Sequence, residues 1–171
     1  KILKASKLPQ RLALESSSLR AISESGCDVV AMQSILGLSD ARAAEGIERY
    51  LKKLTKSTGG EWKSYLGKSE GDILRNGFIY RSDRMTVKKS ASYNEVPLTT
   101  FGPFQLKKFK RAPVQITILV PGKGKAKDQE IILLNYLFRN AFVAGEKEPE
   151  TARMQMADAI RQIIHTEEKG Y

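Results

Sequence analysis

Apolar residues recur with a helical period at the two ends of this chain and with a strand period through most of its middle. From Leu8 to Ser25, apolar side chains at Leu12, Leu14, Leu19 and Ile22 follow a helical spacing, and Gly26 supplies the usual C-terminal stop. Asp28 to Ile35 is a nearly continuous apolar run, as expected of a strand covered on both faces. Ser39-Asp40 then caps a second helix that carries Ala43, Ala44, Ile47, Tyr50, Leu51 and Leu54 on one face and charges on the other; Gly59-Gly60 closes it.

The period then shifts to that of strands. Glu61 to Gly67, Gly77 to Arg81 and Met85 to Tyr93 read as three strands, the last two joined by a tight Ser82-Asp83 turn. Thr99 to Lys110, with Gly102 and Pro103, reads as a basic loop. Ala112 to Val120 and Gln129 to Phe138 form the clearest pair, joined by the flexible basic tip Pro121 to Asp128. Glu148 to Glu168 closes the order as a helix with Ala152, Met156, Ala159, Ile160, Ile163 and Ile164 as its buried stripe, and Met154 beside Met156 reads as core packing.

These elements predict an α/β domain with helices packed on one face of a mixed or antiparallel sheet. Phe78-Ile79-Tyr80, Val114 to Val120 and Ile131 to Leu137 are apolar on both faces, so the second sheet face also needs a cover. Three helices are few for that task. The expectation is a missing second sheet, a protein partner or a second copy.

At 171 residues the chain is expected to be one domain, 1–171, with a real core. No apolar run approaches the ~20 residues of a membrane span, and the first residues do not resemble a signal peptide. The single cysteine, Cys27, excludes an internal disulfide and a cysteine-based zinc site. It reads as a small buried residue, and this cysteine usage favours an intracellular location without excluding secretion.

The net charge of +10 changes the picture most, because such an excess concentrates polyanions and points to nucleic acid as partner. The cations cluster in Lys52-Lys53-Lys56, Lys88-Lys89, Lys107-Lys108-Lys110-Arg111 and Lys123-Lys125-Lys127. Lys107, Lys108, Lys110, Lys123, Lys125 and Lys127, all on expected loops, are the candidates for contacting it.

Other chemistry finds little support. Gly67-Lys68-Ser69 lacks the earlier glycine of a phosphate-binding loop, whose place is taken by Trp62. There is no H-E-x-x-H and no nucleophile elbow around any serine.

Five segments carry a family resemblance. Asp28-Val29-Val30-Ala31-Met32-Gln33-Ser34 resembles the "D-hydrophobic-hydrophobic-A-hydrophobic-Q-E" strand of the endonuclease/exonuclease/phosphatase superfamily, which has the DNase I-like fold. Asn76-Gly77-Phe78-Ile79-Tyr80-Arg81-Ser82-Asp83-Arg84-Met85 is similar to its "N-G-hydrophobic-hydrophobic-Y-R-S-D-R-V" strand and turn. Phe109 to Val114 resembles its "F-x-R-x-P" entry, and Leu134 to Asn140 its "N-x-H-L/F-K-S" strand. Arg153-x-Gln155-x-x-Ala157 is similar to the opening of the helix that follows. The resemblance implies an αββα architecture, mainly its N-terminal half.

It also implies a Mg²⁺-dependent phosphodiesterase site, and here the chain departs from the pattern. Ser34 stands where the family has its metal-binding Glu, and a neutral hydroxyl does not replace a carboxylate on Mg²⁺. Leu137 stands where the family has a His that contacts the phosphate. The later "G-D-x-N" and "S-D-H" motifs have no counterpart, and the one histidine, His165, falls in the last helix. What matches is Tyr80, Asn135, Arg111 and Arg139, as candidates for binding a phosphate. Tyr80 and Asn135 are equally readable as hydrogen-bonding residues of a sheet, and Arg111 as half of a local salt bridge.

The expectation is therefore a catalytically inactive DNase I-like domain, a nucleic-acid-binding or scaffold module in a larger assembly that needs no cofactor as it stands. The alternative is a Mg²⁺-dependent nuclease or phosphatase seen as a truncated or mutated chain.

Overall fold

The computed structural model describes residues 8–69, 72–98, 109, 111–122, 124–137 and 148–168. In chain order they form α1 (Leu8–Ser25), β1 (Val29–Leu36), α2 (Asp40–Thr58), β2 (Trp62–Leu66), β3 (Leu74–Arg81), β4 (Thr86–Ser92), β5 (Val114–Val120), β6 (Gln129–Asn135) and α3 (Glu148–Glu168). The expected loop Thr99 to Lys110 lies outside the described residues apart from Phe109, as does Phe138.

The helix signals act as read. Ser39 caps α2 by accepting a hydrogen bond from the Arg42 amide at 3.2 Å. Gly59, at φ +69°, ends the helix in the left-handed conformation and returns its N–H to Thr55 O at 2.9 Å. Gly26 takes the same conformation after α1, at φ +67°.

The strands form two antiparallel three-stranded sheets, ordered β1-β3-β2 and β4-β5-β6. Phe78, Met85, Val114, Ile116 and Ile118 fill the layer between the sheets. On the outer side of the first sheet, Ile47, Leu51 and Leu54 of α2 pack on Ile35, Trp62 and Ile79, with Leu19 and Ile22 of α1 against them. On the second sheet's side, Met156, Ala159, Ile160 and Ile163 of α3 pack with Phe109, Leu134 and Tyr136. The result is an α-β-β-α stack, each sheet carrying its helices outside.

This corrects the expectation that the chain holds little beyond one sheet. β3 and β5 are central strands, buried on both faces; β5 turns Val114, Ile116 and Ile118 to the opposite sheet and buries the polar Gln115 and Thr117 on its other face. The physical reason to expect a covering partner is thereby removed for both strands. Among the described residues of β3, β5 and β6 it remains at the outer half of β6, where Ile131 and Ile132 are exposed.

Four further expectations are corrected. β1 is half-open rather than covered on both faces, because it is an edge strand. Met154 and Ile164 point outward from α3, 51% and 46% exposed, leaving a narrower stripe. Ala44 is exposed on α2. Cys27 is exposed, since it sits in the turn before β1 and not within the strand.

Candidate functional site

The site forms where the ends of β1 and β6 meet the entry to β5. β1 pairs with β3 through Met32↔Gly77 and then Ile35↔Arg75, so Gln33 and Ser34 together oppose Asn76 alone. That extra residue is a β-bulge. Ser34 absorbs it at φ +58°, the one positive φ outside glycine among the described residues. A left-handed conformation is costly for a residue with a Cβ, by roughly 1–2 kcal/mol. The bulge turns both polar side chains out of the strand, and both are exposed.

Each then meets a different element. Gln33 Nε2 donates to Tyr136 O at 2.8 Å and to Asn135 Oδ1 at 3.3 Å. Asn135 is 3% exposed and donates through Nδ2 to Met32 O and Gly77 O, both at 2.8 Å. Its amide thus ties β6 to β1 and β3, with both hydrogens and the oxygen engaged.

Ser34 Oγ instead faces Arg111, whose Nη1 lies 3.4 Å away. The guanidinium is held from behind by Asp72, with Nε donating to Oδ2 at 2.9 Å. Burial alone would raise the Asp72 carboxyl, but hydrogen bonds from Arg111 and the Leu74 amide outweigh it and leave the pKa below its ordinary value. Ser69 completes the frame, bridging Arg111 through the backbone and donating its hydroxyl to Asp72 O at 2.5 Å. Behind the bulge, buried Asn76 donates to Ala112 O at 3.2 Å, and its Oδ1 has no partner among the described residues.

The remaining predicted positions are scattered. Tyr80 lies four residues beyond Asn76 on the same side of β3, roughly 13 Å along the strand. It packs in the layer between the sheets, and burial raises its pKa. Leu137 follows Tyr136 at the end of β6, half-buried and apolar. Lys125 and Lys127 stand exposed on the β5–β6 hairpin. Arg139, Lys107, Lys108, Lys110 and Lys123 lie outside the described residues.

Asp72, Asn76 and Ser69 were not anticipated. Asp72 stands just before β3, 39 residues from the arginine it holds, and nothing in its neighbouring sequence signals the pairing.

A divalent cation does not fit this mouth. The group nearest Ser34 Oγ is a guanidinium, whose charge opposes a metal, and the adjacent Asp72 carboxylate is engaged by Arg111 and Leu74 N. Among the described residues no group of three or more His, Cys, Asp or Glu side chains is arranged to hold an ion.

No family model matches the sequence, and no curated protein matches it significantly. Solved structures do match in shape. An endonuclease/exonuclease/phosphatase family protein from Bacteroides thetaiotaomicron superposes with a TM-score of 0.55 at 12% identity, over 92% of this chain and 49% of that one. The fold is endonuclease/exonuclease/phosphatase-like. D. rerio TDP2 complexed with a single-strand DNA product is similar at TM-score 0.52 and 15% identity, over 95% of this chain and 50% of that one. The human Nocturnin catalytic domain with a bound sulfate anion is similar at TM-score 0.50 and 14% identity, over 88% and 51%. The chain spans about half the length of the structures it matches. Among the described residues no helix is long and apolar enough to cross a membrane.

Proposed function

We propose that this chain is a catalytically inactive DNase I-like module that binds nucleic acid, or serves as a scaffold, within a larger assembly. One observation carries the reading: a guanidinium fixed by Asp72 stands against Ser34, where the resembling family places its metal-binding carboxylate. Hydrolysis of a phosphodiester needs an activated nucleophile and charge stabilisation at the phosphate. Ser34, Leu137, Asn135 and Arg111 offer no general base, and Arg111 offers only a fixed positive charge.

Such a charge suits holding a phosphate oxygen. Arg111 is 28% exposed at its side chain, and among the described residues its Nη2 stands beyond the contacts with Asp72 and Ser34. The +10 net charge and the exposed Lys125 and Lys127 support a polyanionic partner held mainly by phosphate neutralisation. A fold neighbour caught with single-strand DNA supports the same class of ligand.

The test is to incubate the protein with labelled single- and double-stranded oligonucleotides, with Mg²⁺ and separately with a chelator. Salt-sensitive binding that is equal in both conditions, with no cleavage, is expected. Mg²⁺-dependent cleavage that the chelator abolishes would overturn the reading in favour of a phosphodiesterase.

A further inference from the structure

We infer that the outward face of α2 is a second binding surface for the phosphodiester backbone of nucleic acid, separate from the Ser34–Arg111 mouth. It shares the partner class of the reading above but not its site.

The helix buries Ala43, Ile47, Leu51 and Leu54. At about 100° per residue, Arg49, Lys52 and Lys56 fall on the opposite side, and all three are exposed. Two other α2 cations are neutralised, Arg42 by Glu45 at 2.9 Å and Lys53 by Glu15 of α1 at 2.8 Å. Arg49, Lys52 and Lys56 have no ion pair or hydrogen bond among the described residues. Elsewhere the cations of the strands are mostly compensated, as in Lys88–Glu130, Lys89–Glu167, Arg75–Asp40 and Arg81–Asp83.

Glu45 and Glu48, both exposed, stand four residues before Arg49 and Lys52, the spacing of a helix-stabilising pair. Glu45 is taken by Arg42, however, and no Glu48–Lys52 ion pair closes among the described residues. A cation in the last turn interacts favourably with the helix dipole, which covers Lys56 but not Arg49 or Lys52. Arg49 and Lys56 are about 10 Å apart along the axis, the rise of about three nucleotides of one strand. Arg49 also lies about 13 Å along the helix from Asp40, at the end of α2 nearest the mouth.

The surface is a row of charges with no exposed aromatic; Tyr50, the one aromatic of α2, is half-buried and bonded to Ser18 at 3.0 Å. Binding would therefore neutralise phosphates without reading bases. An anionic membrane is the weaker fit, because a helix that inserts into a lipid surface offers its apolar face, and that of α2 is in the core.

The test replaces Arg49, Lys52 and Lys56 together by Gln and measures duplex DNA binding by anisotropy across a salt series. Each lost phosphate contact should reduce the magnitude of the slope of log K against log salt by about 0.9, or about 2.7 for all three. Unchanged affinity and slope overturn the proposal. Far-UV circular dichroism checks folding, and Lys52→Gln alone, expected to remove about 0.9 of slope, decides the matter if the triple variant unfolds. Loss of binding to phosphatidylserine vesicles with duplex binding intact would assign the surface to membrane and overturn the nucleic-acid assignment. If Lys125→Gln/Lys127→Gln removes the slope while the α2 variant does not, this proposal falls and the function proposed above stands. If the unsubstituted protein shows no salt-dependent binding, both fall.

Discussion

Gln33 and Asn135 lie 102 residues apart in the chain and meet side chain to side chain, 3.3 Å apart, across the seam between the two sheets. Asn135 carries the larger share of this join, because its two amide hydrogens satisfy Met32 O and Gly77 O. Asn135→Ala would leave both carbonyls without that donor, at about 1–3 kcal/mol for each that stays dry. Gln33 is exposed, so water can replace its bonds, and Gln33→Ala should cost about 1 kcal/mol or less. Urea midpoints of the two variants check the order. Equal, small losses would mean that the seam does not depend on the Asn135 amide.

Ser34 makes a separate prediction about the bulge. Its positive φ is tolerated by Asn and poorly by a β-branched side chain. Ser34→Asn should change stability by less than about 1 kcal/mol, whereas Ser34→Val should lower it by about 1–2 kcal/mol or more. Thermal melts of the pair separate backbone conformation from hydroxyl chemistry, because both variants remove the Ser34 hydroxyl.

The two outcomes bear on what was legible in the sequence. The apolar runs of β3 and β5 point to strands buried on both faces, and both are so buried, although β5 meets its outer cover with Gln115 and Thr117. β1 shows the same run and is half-open, because sequence pattern does not tell an edge strand from a central one. The mouth was legible only where a motif reaches it. Ser34 and Leu137 stand out against the family pattern, whereas the clamp on Arg111 joins residues from unrelated loops and leaves no local trace. Asn135 matched the family pattern, and in the fold its amide is held in a structural join.

Arg111 makes a fork with Asp72 and Ser34 that a lysine cannot reproduce, because an ammonium lacks the planar pair of donors. Arg111→Lys should therefore weaken oligonucleotide binding and release Asp72. The Asp72 carboxyl, now held below its ordinary value by Arg111 and Leu74 N against the effect of burial, should move upward in an NMR titration. Because the folded value is depressed, this contribution to stability is present above pH ~4 and is lost as pH falls through the folded value. In Arg111→Lys that acid-side loss should shrink. An unmoved Asp72 titration would show that the clamp contributes little.

A marked acid dependence should come from the far end of α3. Glu167 accepts from Lys89 Nζ at 2.7 and 3.0 Å, from Gln115 Nε2 at 3.0 Å and from the Tyr93 hydroxyl at 2.8 Å. Lys89 first, then Gln115 and Tyr93, draw its pKa down to about 2 from an ordinary 4.5, against the opposing effect of burial. A depressed carboxylate stabilises the fold fully above its unfolded value and loses that contribution as pH falls towards the folded one. The window is therefore pH 4.5 down to about 2. Glu167→Gln keeps the shape but removes the charge that three donors converge on, and should cost about 1–3 kcal/mol at neutral pH. The gap between the two proteins should close as pH falls through that window. Denaturant midpoints across the acid range check this, and a gap that stays constant down to pH ~2 would place the acid sensitivity elsewhere.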